Sequence, residues 1–207
     1  MSDFTTAPAN TLIVGMTRSG KSTAAIKFLL NSNPACRFLF DESSRWSRRL
    51  RLRPAYTAAE CEAALVTRWV CFNPLRMFPD NYAAAFDWFC NWTFNCATRG
   101  PGEKILAIDE LWLWVNNRVM PRNFRLCTQA GSEYGLRILA LTQEPHNVNS
   151  SVVGQTTELI CFRLQEPKAW DCVKALGADV ERVKNLPLGS FISYNRLSGG
   201  SLAGRVF

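Results

Sequence analysis

The 207-residue chain is long enough to bury a core of ordinary size without metal or disulfide support. Its 47% hydrophobic and 20% charged residues exclude global disorder, and no run reaches the 18 continuous apolar residues of a membrane-spanning helix. A net charge of +7, with arginine supplying 18 of the 24 basic side chains, favours phosphate-rich partners. In chain order, periodicity and punctuation predict a strand at 11–14, a helix at 21–31, a strand at 36–41, a helix at 57–66, a strand at 68–73 and a long helix at 80–98. They continue with a strand at 104–109, a helix at 121–132, a strand at 137–142, a short helix at 149–156 and a strand at 158–164. Helices at 167–176 and 178–186, a strand at 190–195 and a last strand near 202–207 complete the pattern.

Runs such as Ile105-Leu106-Ala107-Ile108 and Ile138-Leu139-Ala140-Leu141 lack polar alternation, as expected of parallel strands covered on both faces by helices. The expected class is therefore α/β, a mostly parallel sheet flanked by helices with its ligand at the carboxyl edge, in one domain over residues 1–207. Residues Met1 to Thr6 have neither the basic flank nor the apolar core of a signal peptide, so the chain is expected to be soluble where it is made. The eight cysteines contain no C-x-x-C and sit mostly in apolar segments, which predicts small buried thiols in a reducing compartment. With His146 the only histidine, no zinc site is expected. The 80–98 helix carries a thin polar stripe (Asp87, Asn91, Asn95) and aromatic residues nearly all round, so it must be covered on most sides. Core burial is the plainer expectation; packing against a neighbouring subunit or a membrane-bound partner is the sharper one.

Three strand ends carry chemistry. After Thr11-Leu12-Ile13-Val14, the stretch Gly15-Met16-Thr17-Arg18-Ser19-Gly20-Lys21-Ser22-Thr23 satisfies G-x-x-x-x-G-K-[ST] and runs into a helix. In that setting backbone N–H groups cradle a β-phosphate, Lys21 neutralises β/γ charge, the Ser22 hydroxyl ligates Mg²⁺, and the helix dipole favours the anion. A nucleoside triphosphate with Mg²⁺ is the expected ligand. The run 104–108 then delivers Asp109 and Glu110: Asp109 would hold Mg²⁺, and Glu110 would polarise an attacking water. Adjacent strand residues point to opposite faces, so the two acids need a turn between them. At the end of 137–142 lies Gln143, an amide able to donate to phosphate and accept from water. Away from these, Arg45, Arg48, Arg49, Arg51 and Arg53 crowd into one segment predicted as a loop. Guanidinium groups pair with phosphates bidentately, so the segment can grip a nucleic-acid backbone without reading sequence; a solvated arginine surface is the bland alternative.

Taken together, Gly15 to Thr23, Ile108-Asp109-Glu110, Gly135 to Pro145, Val152-Val153, Leu159 to Leu164 and Leu186 to Ile192 resemble the FtsK/HerA superfamily of DNA-pumping ATPases. Within it, the chain is most similar to the small packaging ATPases of internal-membrane viruses and tectivirus-like phages. The resemblance implies a P-loop NTPase with a RecA-like, additional-strand core, assembled as a ring, usually a hexamer, around double-stranded DNA. It makes Gly15 to Thr23 the Walker A, Asp109 and Glu110 the Walker B, Gln143 the sensor, and Arg163 the candidate arginine finger reaching a neighbour's γ-phosphate, with Arg99, Arg118, Arg122 and Arg125 as rivals. It also implies capsid or membrane-vertex partners, a place in the host cytoplasm during assembly, and virion association at a packaging vertex. Arg18 departs from the pattern, because relatives commonly carry glycine there. The alternative reading is a phage assembly or extrusion ATPase of the zonula occludens toxin group, which generally carries a transmembrane segment and outer domain absent from this sequence. A small-molecule kinase is a third, for which no acceptor pocket or lid is evident and in which Glu110 has little use.

Overall fold

The structure, a computed structural model, describes residues 10–207; the expectation drawn from Met1 to Thr6 lies outside them. Eight strands form one mixed sheet: β1 (Thr11–Val14), β2 (Cys36–Phe40), β3 (Trp69–Phe72), β4 (Lys104–Ile108), β5 (Leu136–Thr142), β6 (Glu158–Phe162), β7 (Ser190–Asn195) and β8 (Ser201–Arg205). Their order is β3-β2-β4-β5-β1-β6-β7-β8. The helices are α1 (Lys21–Asn31), α2 (Arg45–Leu50), α3 (Ala58–Ala64), α4 (Tyr82–Thr98), α5 (Arg122–Gln129), α6 (Ser150–Gly154), α7 (Pro167–Ala175) and α8 (Val180–Lys184), with 3-10 turns between some of them. No described helix is long and apolar enough to cross a membrane. Contacts group the described residues into two compact units, one holding Leu29–Asp109 and Pro121–Ile138, the other residues 10–28 with Glu110–Met120 and Leu139–Phe207.

In the first unit β2 pairs in parallel with β3 and β4, in the register Phe40 to Phe72 and Phe40 to Ile108. All five residues of β2 and of β4 are buried, as strands covered on both faces require. The aromatic helix α4 supplies much of that cover. Phe86 and Phe89 are fully buried against Phe40 at ring separations of 5.2 and 6.0 Å, while the half-buried Trp88 and Trp92 lie over Phe72 and Phe38. Core burial thus takes up Phe86 and Phe89 in full, while Tyr82, Trp88, Trp92 and Phe94 stay half-buried. Asn81 starts the helix by accepting the Ala84 N–H at 3.0 Å. Its far end is tied to β4 by Lys104, a buried cation whose Nζ donates to the carbonyls of Ala97 and Tyr134 at 3.1 and 3.0 Å and to that of Gly100. Burial lowers its pKa, and the carbonyl dipoles at the helix terminus replace the water it loses.

The segment carrying the five arginines is not a loop throughout, as its composition suggests; Arg45–Leu50 is helical, and Arg51 ends it in the left-handed region at φ 54°. The cause lies four residues upstream. Asp41, just past β2, is buried and accepts the N–H groups of Trp46 and Ser47 at 2.8 and 2.9 Å, satisfying first-turn donors that six residues cannot satisfy internally. Asn73 braces the same corner, donating to the Asp41 carbonyl at 2.9 Å and to Ser44 Oγ at 3.1 Å. Trp46 packs into the core beneath.

In the second unit β1 lies between β5 and β6, parallel to both, and β7 and β8 add antiparallel strands beyond β6. β1 is buried at every position.

All eight cysteines are free thiols, six of them buried. Burial pushes Cys36 and Cys61 up to about 12 from an ordinary 9.0. A thiol whose folded pKa is raised contributes stability in full below the unfolded value and loses it as pH climbs toward the folded one. Urea unfolding should therefore show stability falling by about 1–3 kcal/mol between pH 8 and pH 10 from these two groups. Cys36→Ala with Cys61→Ala should remove that share of the slope, leaving the part due to the other thiols whose pKa burial raises, Cys71, Cys90, Cys96, Cys161 and Cys172.

Candidate active site

The turn from β1 into α1 is shaped by two glycines that tolerate no side chain. A Cβ on Gly15 would sit 2.6 Å from the Phe162 Cβ and 2.7 Å from Ser19 Oγ. Gly20 has φ +115°, and its Cβ would fall 2.8 Å from Val206 and 2.9 Å from Phe162. The turn is pinned to the end of β6 by the Met16 N–H donating to the Arg163 carbonyl at 2.9 Å. It is backed by the last strand as well: Lys27 of α1 donates to the Val206 carbonyl at 2.7 Å, and the Val206 N–H donates to Gly189 at 2.8 Å. Lys21, buried, folds back to donate to the carbonyls of Gly15 and Met16 at 2.7 and 3.0 Å. Ser22 and Thr23 follow it, half-buried, in a first helical turn without acidic residues. Ser19 Oγ is buried with no hydrogen-bond partner among the described residues. A helix start, an inward lysine and an orphaned hydroxyl around a side-chain-free turn suit a phosphate chain.

Arg18 occupies the left-handed region at φ 60°, the conformation in which glycine pays no steric penalty. That is the physical reason a glycine fits better at this point of the loop. Arg18→Gly should raise stability by about 0.5–1 kcal/mol, read as a melting temperature higher by roughly 1–3 °C.

Glu110 and Gln143, separated by 33 positions, meet directly. Gln143 Nε2 donates to Glu110 Oε1, Thr17 Oγ1 donates to Gln143 Oε1 at 2.5 Å, and Trp112 Nε1 donates to Glu110 Oε2 at 3.2 Å. A chain of hydrogen bonds thus runs from the glycine-bounded turn through the amide to the carboxylate. Glu110 reaches it by adopting the left-handed region, φ 48°, immediately after Asp109. This is the turn that the two adjacent acids require. Beside Thr17 and Gln143 a cavity of about 220 Å³ opens, lined also by Met16, Glu144, Leu164 and Gln165.

Asp109, at the end of β4, accepts an ion pair from Arg45 Nη1 at 3.3 Å. Glu42 lies near both, half-buried, and burial raises its pKa. No group of three or more His, Cys, Asp or Glu poised for a metal occurs among the described residues. Mg²⁺ needs only one or two protein oxygens, water and phosphate supplying the rest. Asp109 and the Ser22 hydroxyl are hard oxygen donors of the right kind, and the guanidinium on Asp109 marks it as a place for positive charge.

No family model and no curated protein matches the sequence. Solved structures do match. The genome packaging NTPase B204 from Sulfolobus turreted icosahedral virus 2, in complex with ATP-gammaS, aligns with a TM-score of 0.73 at 18% identity, over 98% of this chain and 100% of that one. B204, the DNA-packaging ATPase from Sulfolobus Turreted Icosahedral Virus, aligns at 0.67 and 17% identity over 96% and 97%. VirB4 of Thermoanaerobacter pseudethanolicus aligns at 0.66 and 11% identity over 96% and 89%. The chain has the fold of these ATPases. Its eight-stranded, mostly parallel sheet flanked by helices is the α/β architecture that the motifs imply.

Within that fold the arginines take separate places. Arg163 is exposed and follows β6, which ends at Phe162 and so stops two residues short of the predicted strand. Of its rivals, Arg99 forms an exposed ion pair with Glu62 at 3.7 Å. In the arginine segment, Arg48 folds back onto the carbonyls of Ser44 and Ser43 at 2.8 and 2.9 Å, Arg49 is exposed, and Arg51 and Arg53 border a second cavity of about 450 Å³ with Trp69 and Glu60. Sequence reasoning missed Thr17 and Trp112 as partners of the amide and the acid. Spacing carries no signal for either, since each contact depends on how the chain turns after a strand.

Proposed function

We propose that this chain is an Mg²⁺-dependent ATPase that drives double-stranded DNA into a preformed viral capsid. The observation that carries the hydrolytic part is the hydrogen-bonded chain Thr17–Gln143–Glu110, which ties the phosphate loop to a carboxylate poised as a base. In this reading the backbone N–H groups of Gly15 to Gly20 and the Lys21 ammonium bind the β- and γ-phosphates. Ser22 and Asp109 would hold Mg²⁺, which neutralises charge between those phosphates when bound. Glu110 takes the proton of a water as its oxygen bonds to the γ-phosphorus. The bond to the bridging oxygen breaks, and ADP leaves with the electron pair. Gln143 orders the water and the phosphate together, because its amide presents a donor and an acceptor at once. Arg163, exposed at a strand end, would reach a neighbour's γ-phosphate in a homo-oligomeric ring, expected to be a hexamer.

The packaging part is supported by the shared fold with proteins described as genome packaging and DNA-packaging ATPases, by the +7 balance, and by the arginines around α2. Partners at a capsid or membrane vertex, and a place in the host cytoplasm and then the virion, belong to the same reading. The decisive measurement is ATP turnover with and without duplex DNA across a salt series. Turnover stimulated by DNA, with the stimulation falling steeply as salt rises, supports the proposal. Turnover indifferent to DNA, or phosphate passed to a metabolite instead of water, overturns it.

A further inference from the structure

We infer that Arg45 is a placeholder for the divalent cation: it neutralises Asp109 while the metal is away and must leave when the metal arrives. The inference rests on the assignment of Asp109 to Mg²⁺ made above and adds a residue that neither motif contains. The contact is direct, Arg45 Nη1 to Asp109 Oδ2 at 3.3 Å. It is also built rather than incidental. Arg45 is the first residue of α2, and that helix is fixed by the Asp41 carboxylate through the N–H groups of Trp46 and Ser47, with Asn73 bracing Ser44. The surroundings need a cation. Asp41, Glu42 and Asp109 gather at the ends of the paired strands β2 and β4, and Arg45 is the positive group that acts on Glu42 there.

The two ends of the ion pair differ in a way that suits exchange. The Asp109 side chain is 12% exposed and sits at a strand end, whereas that of Arg45 is 55% exposed on a long flexible stem. The carboxylate therefore stays in place, and the guanidinium can withdraw into solvent as the cation takes over the neutralisation of the mostly buried acid. Because guanidinium and metal would compete for the one carboxylate, each would weaken the other's hold by one common factor. For a pair as exposed as this one the factor is about two- to five-fold. An arginine is suited to the role because it stays charged at every working pH, so the acid never loses its counter-ion.

The test is binding of a fluorescent ATP analogue to the full chain, titrated with Mg²⁺ and repeated in EDTA. Arg45→Gln should lower the half-saturating Mg²⁺ about two- to five-fold and leave the affinity in EDTA unchanged. Arg45→Lys, which keeps a charge but not the fork, should fall between that variant and the wild type, and it covers the case in which the glutamine variant folds poorly. Arg182→Gln, which removes a positive charge from α8, should leave the Mg²⁺ requirement as it was. An unchanged or increased Mg²⁺ requirement in Arg45→Gln overturns the inference, as does an equal gain in EDTA. Failure of the wild-type chain to bind the analogue, or full binding by Lys21→Ala, overturns the nucleotide reading beneath it and the inference with it.

Discussion

Glu110→Gln should bind ATP as tightly as the wild-type chain and hydrolyse it about 10²- to 10⁴-fold more slowly. The amide is isosteric with the carboxylate and can still accept from Gln143, so the loop keeps its link to Thr17. What it cannot do is take a proton from water, so the loss falls on kcat rather than on nucleotide affinity. One static cost accompanies it: an amide nitrogen facing the Trp112 N–H sets donor against donor, worth about 1 kcal/mol of stability. Single-turnover hydrolysis with separately measured binding checks both halves. Gln143→Ala supplies the complement. Because Gln143 and Glu110 are directly bonded and act on one water, the double variant should be little slower than Glu110→Gln alone. Multiplicative losses would show that the two groups work independently and that the bond between them has no part in turnover.

Lys21→Ala should weaken ATP binding by about 30- to 1,000-fold, the equivalent of about 2–4 kcal/mol of charge-assisted hydrogen bonding to phosphate. The structure adds a second effect. The ammonium donates to the carbonyls of Gly15 and Met16, so it organises the loop that it serves. Its removal leaves two carbonyls of a tight turn without their cation. The variant should therefore show faster amide exchange through residues 15–20 even without nucleotide, measured by hydrogen–deuterium exchange. Unchanged exchange there would mean that the glycine packing alone sets the turn.

What could be read from the sequence divides along a physical line. β1 and α1 occupy the residues that periodicity assigns them, because an apolar run ending in glycine and a lysine-led amphipathic stretch are each decided by neighbours within a turn or two. The buried strands β4 and β5 were legible for the same reason, and so was the place of Glu110 and Gln143 just past strand ends; that the two side chains bond to each other was not. α2 was not. Four of its six residues are Arg or Ser, no apolar period marks it, and what makes it helical is a carboxylate outside its own span. The Arg45–Asp109 pair was hidden with it, since a segment taken for a loop has no fixed direction in which to point an arginine. Trp112 and Thr17 escaped because a hydrogen bond between distant turns leaves no trace in spacing. Arg18 was noticed as a departure, but its left-handed backbone, and so the reason for the departure, is a property of the folded turn.

The seat of Gly20 has an architectural implication. The residue against which it packs, Val206, is also the one whose carbonyl receives Lys27 and whose amide reaches Gly189, while the ring of Phe207 closes over Gly189 from the other side. The mouth that would receive triphosphate is therefore walled by residues far along the chain from the motif itself, Gly189 and Val206. A bulkier side chain introduced at Val206 would therefore press directly on the wall of the catalytic turn, although it lies outside every motif.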